Sequence, residues 1–172
     1  HMRGYRANAL DAPLKESIAS AMVQLSYWRK DRILLDPFCG SGTIPIEAAM
    51  LARNIAPGIH RKFACEEWER IGKELWKQAR KEAYQAIDYD CTPRIYGSDI
   101  DPAAIALAKE NAEKAGVDDC ITFEVKPSQE IVLPGRYGVL ISNPPYGERI
   151  GELKEVEEMY RALGATMKSD NT

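Results

Sequence analysis

Three short apolar runs in this chain each close on a polar side chain and then break into a turn. Ile33-Leu34-Leu35 closes on Asp36, Ile95-Tyr96-Gly97-Ser98 on Asp99, and Tyr137-Gly138-Val139-Leu140-Ile141 on Ser142-Asn143. Apolar runs of this length bounded by turn residues read as buried strands, here over about 32–36, 94–99 and 137–142, and the alternating stretch 121–125 adds a fourth. Helical spacing fills the intervals. Leu14, Ile18, Ala21, Met22 and Leu25 predict a helix opening at Pro13 and ending near Trp28–Lys30. Ile44, Ala48, Leu51 and Ala52 predict one over Thr43–Arg53. Ile71, Leu75, Ala79, Ala83 and Ile87 step by four and predict a core-facing stripe on a helix over Glu66–Ile87. Asp101-Pro102 is a cap followed by a first-turn proline, and Ile105, Ala108, Ala112 and Ala115 line the helix that Gly116 ends. A last helix covers about Glu152–Met167, with Val156, Met159, Tyr160 and Leu163 inward. A helix followed by repeated strand–helix units predicts an α/β fold with a mostly parallel sheet. Ligands of such sheets bind beyond the carboxyl ends of the strands. Asp36, Asp99 and Asn143 all fall there.

A chain of 172 residues, 45% hydrophobic, is one domain with a real core. His1-Met2 reads as an expression scar, leaving 3–172 as the domain. A net charge of −3 argues against a domain that binds nucleic acid by bulk charge, although residues 1–62 are basic and the remainder acidic. The four cysteines form no C-x-x-C pair and only two histidines exist, so neither a zinc site nor a disulfide framework is expected, and a reducing, cytoplasmic setting fits. No run reaches the ~18 apolar residues of a membrane helix.

Asn143-Pro144-Pro145-Tyr146 follows the last strand. Proline fixes φ, lacks an N–H and pushes the preceding residue out of the helical region. Asn143 is therefore extended, and its side-chain oxygen and the Pro144 carbonyl are two acceptors able to hold an exocyclic amino group, with Tyr146 available to stack on the ring. A tight turn leaving a strand is the plainer reading of the tetrapeptide alone. Earlier in the chain, Gly40 and Gly42 let backbone approach a ligand closely, and the next helix offers free N–H groups. No Gly-Lys-Ser/Thr follows, which excludes a Walker A loop. The third glycine of a dinucleotide fingerprint would fall at Pro45. Asp99, a carboxylate at a strand end, can accept both hydroxyls of a ribose.

Asp36-Pro37-Phe38-Cys39-Gly40-Ser41-Gly42-Thr43, Gly97-Ser98-Asp99 and Asn143-Pro144-Pro145-Tyr146-Gly147-Glu148-Arg149, in this order, resemble a class I S-adenosylmethionine-dependent methyltransferase. Arg3-Gly4-Tyr5-Arg6, Ala12-Pro13-Leu14 and Glu148-Arg149 narrow the resemblance to the THUMP-associated RNA methylase family, which includes ribosomal RNA guanine-N2 methyltransferases. The resemblance runs from Arg3 to about Met167 and implies a Rossmann-like methyltransferase fold. It also implies site roles. Asp36, Gly40 and Gly42 cradle the methionine part of the cofactor, with Phe38, Cys39, Thr43 and Asn143 counted among the cofactor-binding residues. Asp99 binds ribose and Ile100 packs on adenine. Asn143 and Pro144 hold the target amine, Tyr146 stacks on the base, and residues 3–16 close over the cofactor. The implied chemistry is methyl transfer to an exocyclic base amine of RNA, guanine N2 of 23S ribosomal RNA, with no metal. Adenine-N6 methylation of DNA and an inactive cofactor-binding fragment are the alternatives.

Two departures from the family pattern stand out. The stretch after the third strand is Lys126-Pro127-Ser128-Gln129, without the carboxylate that often reads adenine there, so Ser128, Gln129 or backbone is left for that task. Four strands are counted against the seven of the family, so the C-terminal strands, like the RNA-capturing THUMP domain ahead of Arg3, are expected to be missing. The strand over 137–142 is then an apolar edge suited to self-association.

Overall fold

The structure is a computed structural model, and it describes residues 3–5, 14–131, 135, 137–144 and 153–169. The elements run α1 (Glu16–Leu25), β1 (Leu34–Asp36), α2 (Thr43–Ala52), α3 (Lys73–Gln85), β2 (Ile95–Asp99), α4 (Pro102–Ala115), β3 (Ile121–Val125), β4 (Val139–Leu140) and α5 (Leu153–Ser169). The four strands form one sheet in the order β3-β2-β1-β4, with every pairing parallel. Asp36 is level with Gly97, and Asp99 with Val125, so the chain leaves β1, β2 and β3 at one edge. The fold is Rossmann-like α/β, with the parallel sheet that the strand–helix alternation requires.

α2 is the central packing element. It is apolar on nearly every face and buried accordingly, only Leu51 reaching solvent at 40% exposure. Leu51 was expected to face inward with Ile44, Ala48 and Ala52. α1 lies against α2, while α2 and α4 cover one face of the sheet. α4 carries the local signals of its sequence. The Asp101 side chain accepts the Ala103 N–H at 2.8 Å, Pro102 occupies the first turn, and Gly116 ends the helix at φ 69°.

Three expectations need correction. α1 begins at Glu16, and its buried residues are Glu16, Ala19, Ser20 and Val23, while Ile18 and Leu25 are 47% and 76% exposed. Close packing against α2 selects small side chains, so hydrophobicity alone points to the wrong face. The expected helix over Glu66–Ile87 is a 3₁₀ turn (Ala64–Glu67) followed by α3, which buries no residue fully and leaves Leu75 66% exposed. A stripe stepping by four drifts about 40° per step around a 3.6-residue helix, so only its end meets the core. Ala83 and Ile87 do, Trp76 stacks on Phe63 at 6.0 Å, and Arg80 donates to the Ile59 and Arg61 carbonyls at 2.8 and 2.7 Å. The run Tyr137–Ile141, expected as a buried strand, pairs only through Val139 and Leu140. Tyr137 is 82% exposed with φ 62°, a left-handed conformation that ends strand geometry on that side.

The opposite end of the sheet is tied by Arg53, buried at 5% exposure. Its guanidinium meets both Asp119 oxygens at 2.8 and 2.6 Å, and its Nε donates to the Cys91 carbonyl at 3.2 Å. Among the described residues no helix is long and apolar enough to cross a membrane.

Candidate functional site

The carboxyl edge of the sheet is organised around two carboxylates. Asp36, the last residue of β1, is 1% exposed. Its Oδ1 accepts the Phe38 N–H at 3.2 Å and the Ser142 hydroxyl at 2.7 Å. Burial pushes its carboxyl up to about 7, against the lowering effect of those two hydrogen bonds, and the nearby Asp99 adds to the rise. Asp36, expected to help cradle the cofactor, is a buried carboxylate that holds the backbone of the turn at Phe38. Asp99, half-buried, accepts the Gly40 N–H at 2.9 Å on Oδ2 and the Asp101 N–H at 3.0 Å on Oδ1.

Between them runs the turn Pro37–Gly42. The Cys39 N–H donates to the Ser98 carbonyl at 2.9 Å and the Gly42 N–H to the Cys39 carbonyl at 2.8 Å. Asn111 of α4 donates to the Ser41 carbonyl at 3.1 Å. Gly40 and Gly42 have φ of 52° and 81°, the left-handed region that favours glycine. A Cβ at Gly42 would stand 3.0 Å from Ala108 Cβ and 3.1 Å from the Phe123 ring, whereas one at Gly40 would meet nothing within 4 Å. Gly42 thus seats the turn on α4 and β3, while Gly40 turns an open side outward. Thr43 opens α2 and is buried, its Oγ1 lying 3.5 Å from Ser41 Oγ. Cys39 is buried, which pushes its thiol up, and Phe38 is half-buried. Ile100, beside Asp99, is 73% exposed, an apolar surface facing solvent next to a carboxylate. Beyond β3, Ser128 is buried and Gln129 exposed.

Asn143 and Pro144 leave β4 at the same edge, Asn143 exposed and Pro144 half-buried. The Ser142–Asp36 hydrogen bond joins that exit to the glycine turn. Tyr146 and Pro145, and residues 6–13 of the segment expected to close over the site, lie outside the described residues. The two ends of that segment are described. At one end the Arg3 guanidinium meets Glu47 at 2.9 and 3.1 Å, and the Tyr5 hydroxyl donates to Glu47 at 3.1 Å. Glu47 sits in the second turn of α2 at 2% exposure, and its burial raises its pKa despite the neighbouring Arg3. At the other end is the buried Glu16.

Asp36, Gly40, Gly42, Asp99, Asn143 and Pro144 thus meet at one edge, and Tyr146 lies outside the described residues. The sequence reading missed Ser142 and Glu47. Glu47 had a signal, as the one acid within the apolar run of α2. Ser142 had none beyond its place before Asn143.

Known proteins resemble this chain over its length. YpsC of Bacillus subtilis, provisionally named an RNA methyltransferase, is 49% identical over the whole chain, which spans 45% of that protein. Ribosomal RNA large subunit methyltransferase K/L of Shewanella sediminis is 47% identical over 99% of the chain and 25% of its own length. Of solved structures, one described as a predicted N6-adenine-specific DNA methylase from Listeria monocytogenes superposes with a TM-score of 0.91 at 46% identity, covering 97% of this chain and 44% of that one. SMU.472, provisionally described as a methyltransferase and solved with SAH, gives 0.90 at 42% over the same shares. The chain therefore spans under half the length of these relatives. The family model described as RMKL-like, methyltransferase domain, matches residues 3–171, a span that contains the whole sheet edge from Asp36 to Pro144, and the chain belongs to that family.

Proposed function

We propose that this domain transfers a methyl group from S-adenosylmethionine to an exocyclic amine of an RNA base, guanine N2 of large-subunit ribosomal RNA. One observation carries the reading: the Ser142–Asp36 hydrogen bond at 2.7 Å holds the Asn143-Pro144 acceptors against the glycine turn, so a donor half and an acceptor half share one sheet edge. The residues fit the cofactor. Gly40 presents an open side, Asp99 is a half-buried carboxylate at a strand end, and Ile100 offers apolar surface beside it. Two acidic groups at the edge suit a cationic molecule. S-adenosylmethionine supplies an electrophilic methyl group when bound.

The chain's own contribution is binding and orientation. Backbone at Gly40 and Thr43 and the Asp99 carboxylate hold the cofactor, on a turn that Gly42 seats against α4 and β3, with Ile100 against its adenine. The Asn143 side-chain oxygen and the Pro144 carbonyl accept the two N–H groups of the target amine. Those bonds favour a pyramidal nitrogen whose lone pair faces the methyl group, and Tyr146 stacks on the base. Positioning of this kind provides a large share of the rate enhancement. The base leaves its own stack to enter, at a cost of a few kcal/mol that the new stacking offsets in part.

The RNA substrate is supported by the K/L relative, whose name is that of a ribosomal RNA enzyme. The description of the Listeria relative favours a second reading, N6 methylation of adenine in DNA. Transfer of labelled methyl to ribosomal RNA lacking modification, duplex DNA and single-stranded DNA, followed by nucleoside mass spectrometry, decides between them. N2-methylguanosine from ribosomal RNA is expected. N6-methyladenine from DNA would replace the reading.

A further inference from the structure

Little backbone holds the strand that ends in the Asn143-Pro144 acceptors. β4 pairs with β1 through Leu34↔Val139 and Leu35↔Leu140 only. The Val139 N–H donates to the Ile33 carbonyl at 2.8 Å and the Ile141 N–H to the Leu35 carbonyl at 3.0 Å. A parallel ladder would continue through the Asn143 N–H, yet among the described residues no backbone bond extends it past Ile141. Pro144 has no N–H to contribute. The tie nearest the acceptors is the Ser142 hydroxyl, which reaches Asp36 at 2.7 Å, one residue before Asn143.

The receiving oxygen is itself fixed. Asp36 is 1% exposed, and its Oδ1 also takes the Phe38 N–H at 3.2 Å, at the start of the glycine turn. The turn is fastened in its middle by the Gly40 N–H on Asp99 at 2.9 Å. A single carboxylate oxygen thus connects the exit of β4 to the entry of the turn. We infer that Ser142 is a positioning residue: held by Asp36, its hydroxyl sets where the Asn143 side chain and the Pro144 carbonyl stand relative to the glycine turn, and so aligns the target amine with the methyl donor. The inference rests on the methyl-transfer reading for its catalytic consequence and on the hydrogen-bond pattern alone for its structural one.

The test separates the two. Ser142→Ala keeps the backbone and removes the donor. Misplacing reacting groups by about 1 Å can cost ~100-fold in rate. The single-turnover rate on ribosomal RNA is expected to fall by roughly 10- to 100-fold, while cofactor Kd and the KM for RNA stay within about threefold, the pattern of an interaction that acts in the transition state. Ser142→Thr retains the hydroxyl, suits extended backbone and is expected to restore most of the rate. An unchanged rate in Ser142→Ala, a matching loss of cofactor affinity, or no rescue by Ser142→Thr would overturn the assignment. Should Ser142→Ala not fold, Ser142→Cys carries the same expectation with a smaller loss, because a thiol is a weak donor.

Backbone nitrogen-15 relaxation supplies the second readout. The Asn143 amide is expected to show a lower order parameter in Ser142→Ala, with that of the Ile141 amide, which is bonded to Leu35, unchanged. If the wild-type protein methylates no nucleic acid, the methyl-transfer reading fails on its own, and the relaxation measurement still decides the positioning claim. Equal Asn143 order parameters in wild type and variant overturn it.

Discussion

The Asp99 carboxylate accepts the Gly40 N–H at 2.9 Å, across 59 positions of sequence, and its other oxygen takes the Asp101 N–H at 3.0 Å. Asp99 is therefore part of the glycine turn as much as the proposed ribose acceptor at its rim. Each carboxylate oxygen has two lone pairs, so both oxygens keep capacity for a ribose hydroxyl. Asp99→Ala removes the proposed ligand acceptor and the tether of the turn together. Hydrogen bonds to charged groups contribute about 1.5–3 kcal/mol each, so cofactor affinity measured by calorimetry is expected to drop by at least ~10-fold, with Asp99→Asn intermediate. Asp99→Ala binding at wild-type affinity would remove Asp99 from the site.

Asn143 is exposed at the end of β4 and is reached by no described hydrogen bond, so its truncation disturbs little of the fold. Asn143→Ala is expected to lower methyl transfer by ~100-fold or more, the loss typical of one positioned polar group at a reacting centre. Cofactor affinity should remain nearly intact. Equal loss of both, seen by calorimetry beside a transfer assay, would make Asn143 a cofactor-binding or structural residue instead.

Gly97 lies in the middle of β2, where a Cβ would stand 2.8 Å from the Phe123 ring and 3.3 Å from Cys39 Cβ. Phe123 is buried on the neighbouring strand, so the ring cannot swing away freely. Gly97→Ala is expected to destabilise the domain by ~1–3 kcal/mol in urea unfolding, and Phe123→Leu in the same chain should recover part of the loss. A neutral Gly97→Ala would mean that the sheet adjusts more easily than its packing implies.

How much of this was legible in the sequence follows the range of the interactions. The α4 start, with Asp101 as cap and Pro102 after it, depends on neighbours in sequence and was readable. The edge carrying Asp36, Asp99 and Asn143 was readable because strand–helix alternation fixes which ends of parallel strands meet. The Ser142–Asp36 bond spans 106 positions and the Arg3–Glu47 pair 44, and no local pattern encodes either. The buried face of α1 was misread because packing against α2 selects Ala19 and Ser20, which hydrophobicity ranks low. The left-handed Tyr137 was missed because an aromatic in an apolar run ordinarily signals a strand.

β4 is the outer strand of the described sheet, and its Leu140 is 36% exposed. An apolar strand edge is a template for pairing with another chain. Light scattering on this chain is expected to show mass rising with concentration, and Leu140→Lys, which places a charge on the edge, should suppress the rise. A concentration-independent monomer mass, unchanged by Leu140→Lys, would show that this edge does not associate.

Asp36 makes stability fall with pH. Burial raises its carboxyl from 3.8 to about 7, so between those values the folded chain holds a proton that the unfolded chain has released. With more protons on the native state, the slope of unfolding free energy with pH is negative. Stability should therefore decline as pH rises from about 4 to about 7 and level off above. Glu47, also raised by burial, contributes in the same sense. The difference between wild type and Asp36→Asn isolates Asp36: urea unfolding from pH 4 to 8 is expected to give Asp36→Asn a flatter profile, its amide oxygen still able to accept the Phe38 and Ser142 hydrogen bonds. The same proton links to ligand binding. A cationic cofactor beside the turn favours the ionised carboxylate, so its affinity should increase as pH rises through about 7 in wild type and stay level in Asp36→Asn. Parallel profiles for the two proteins in both measurements would mean that Asp36 ionises below this window.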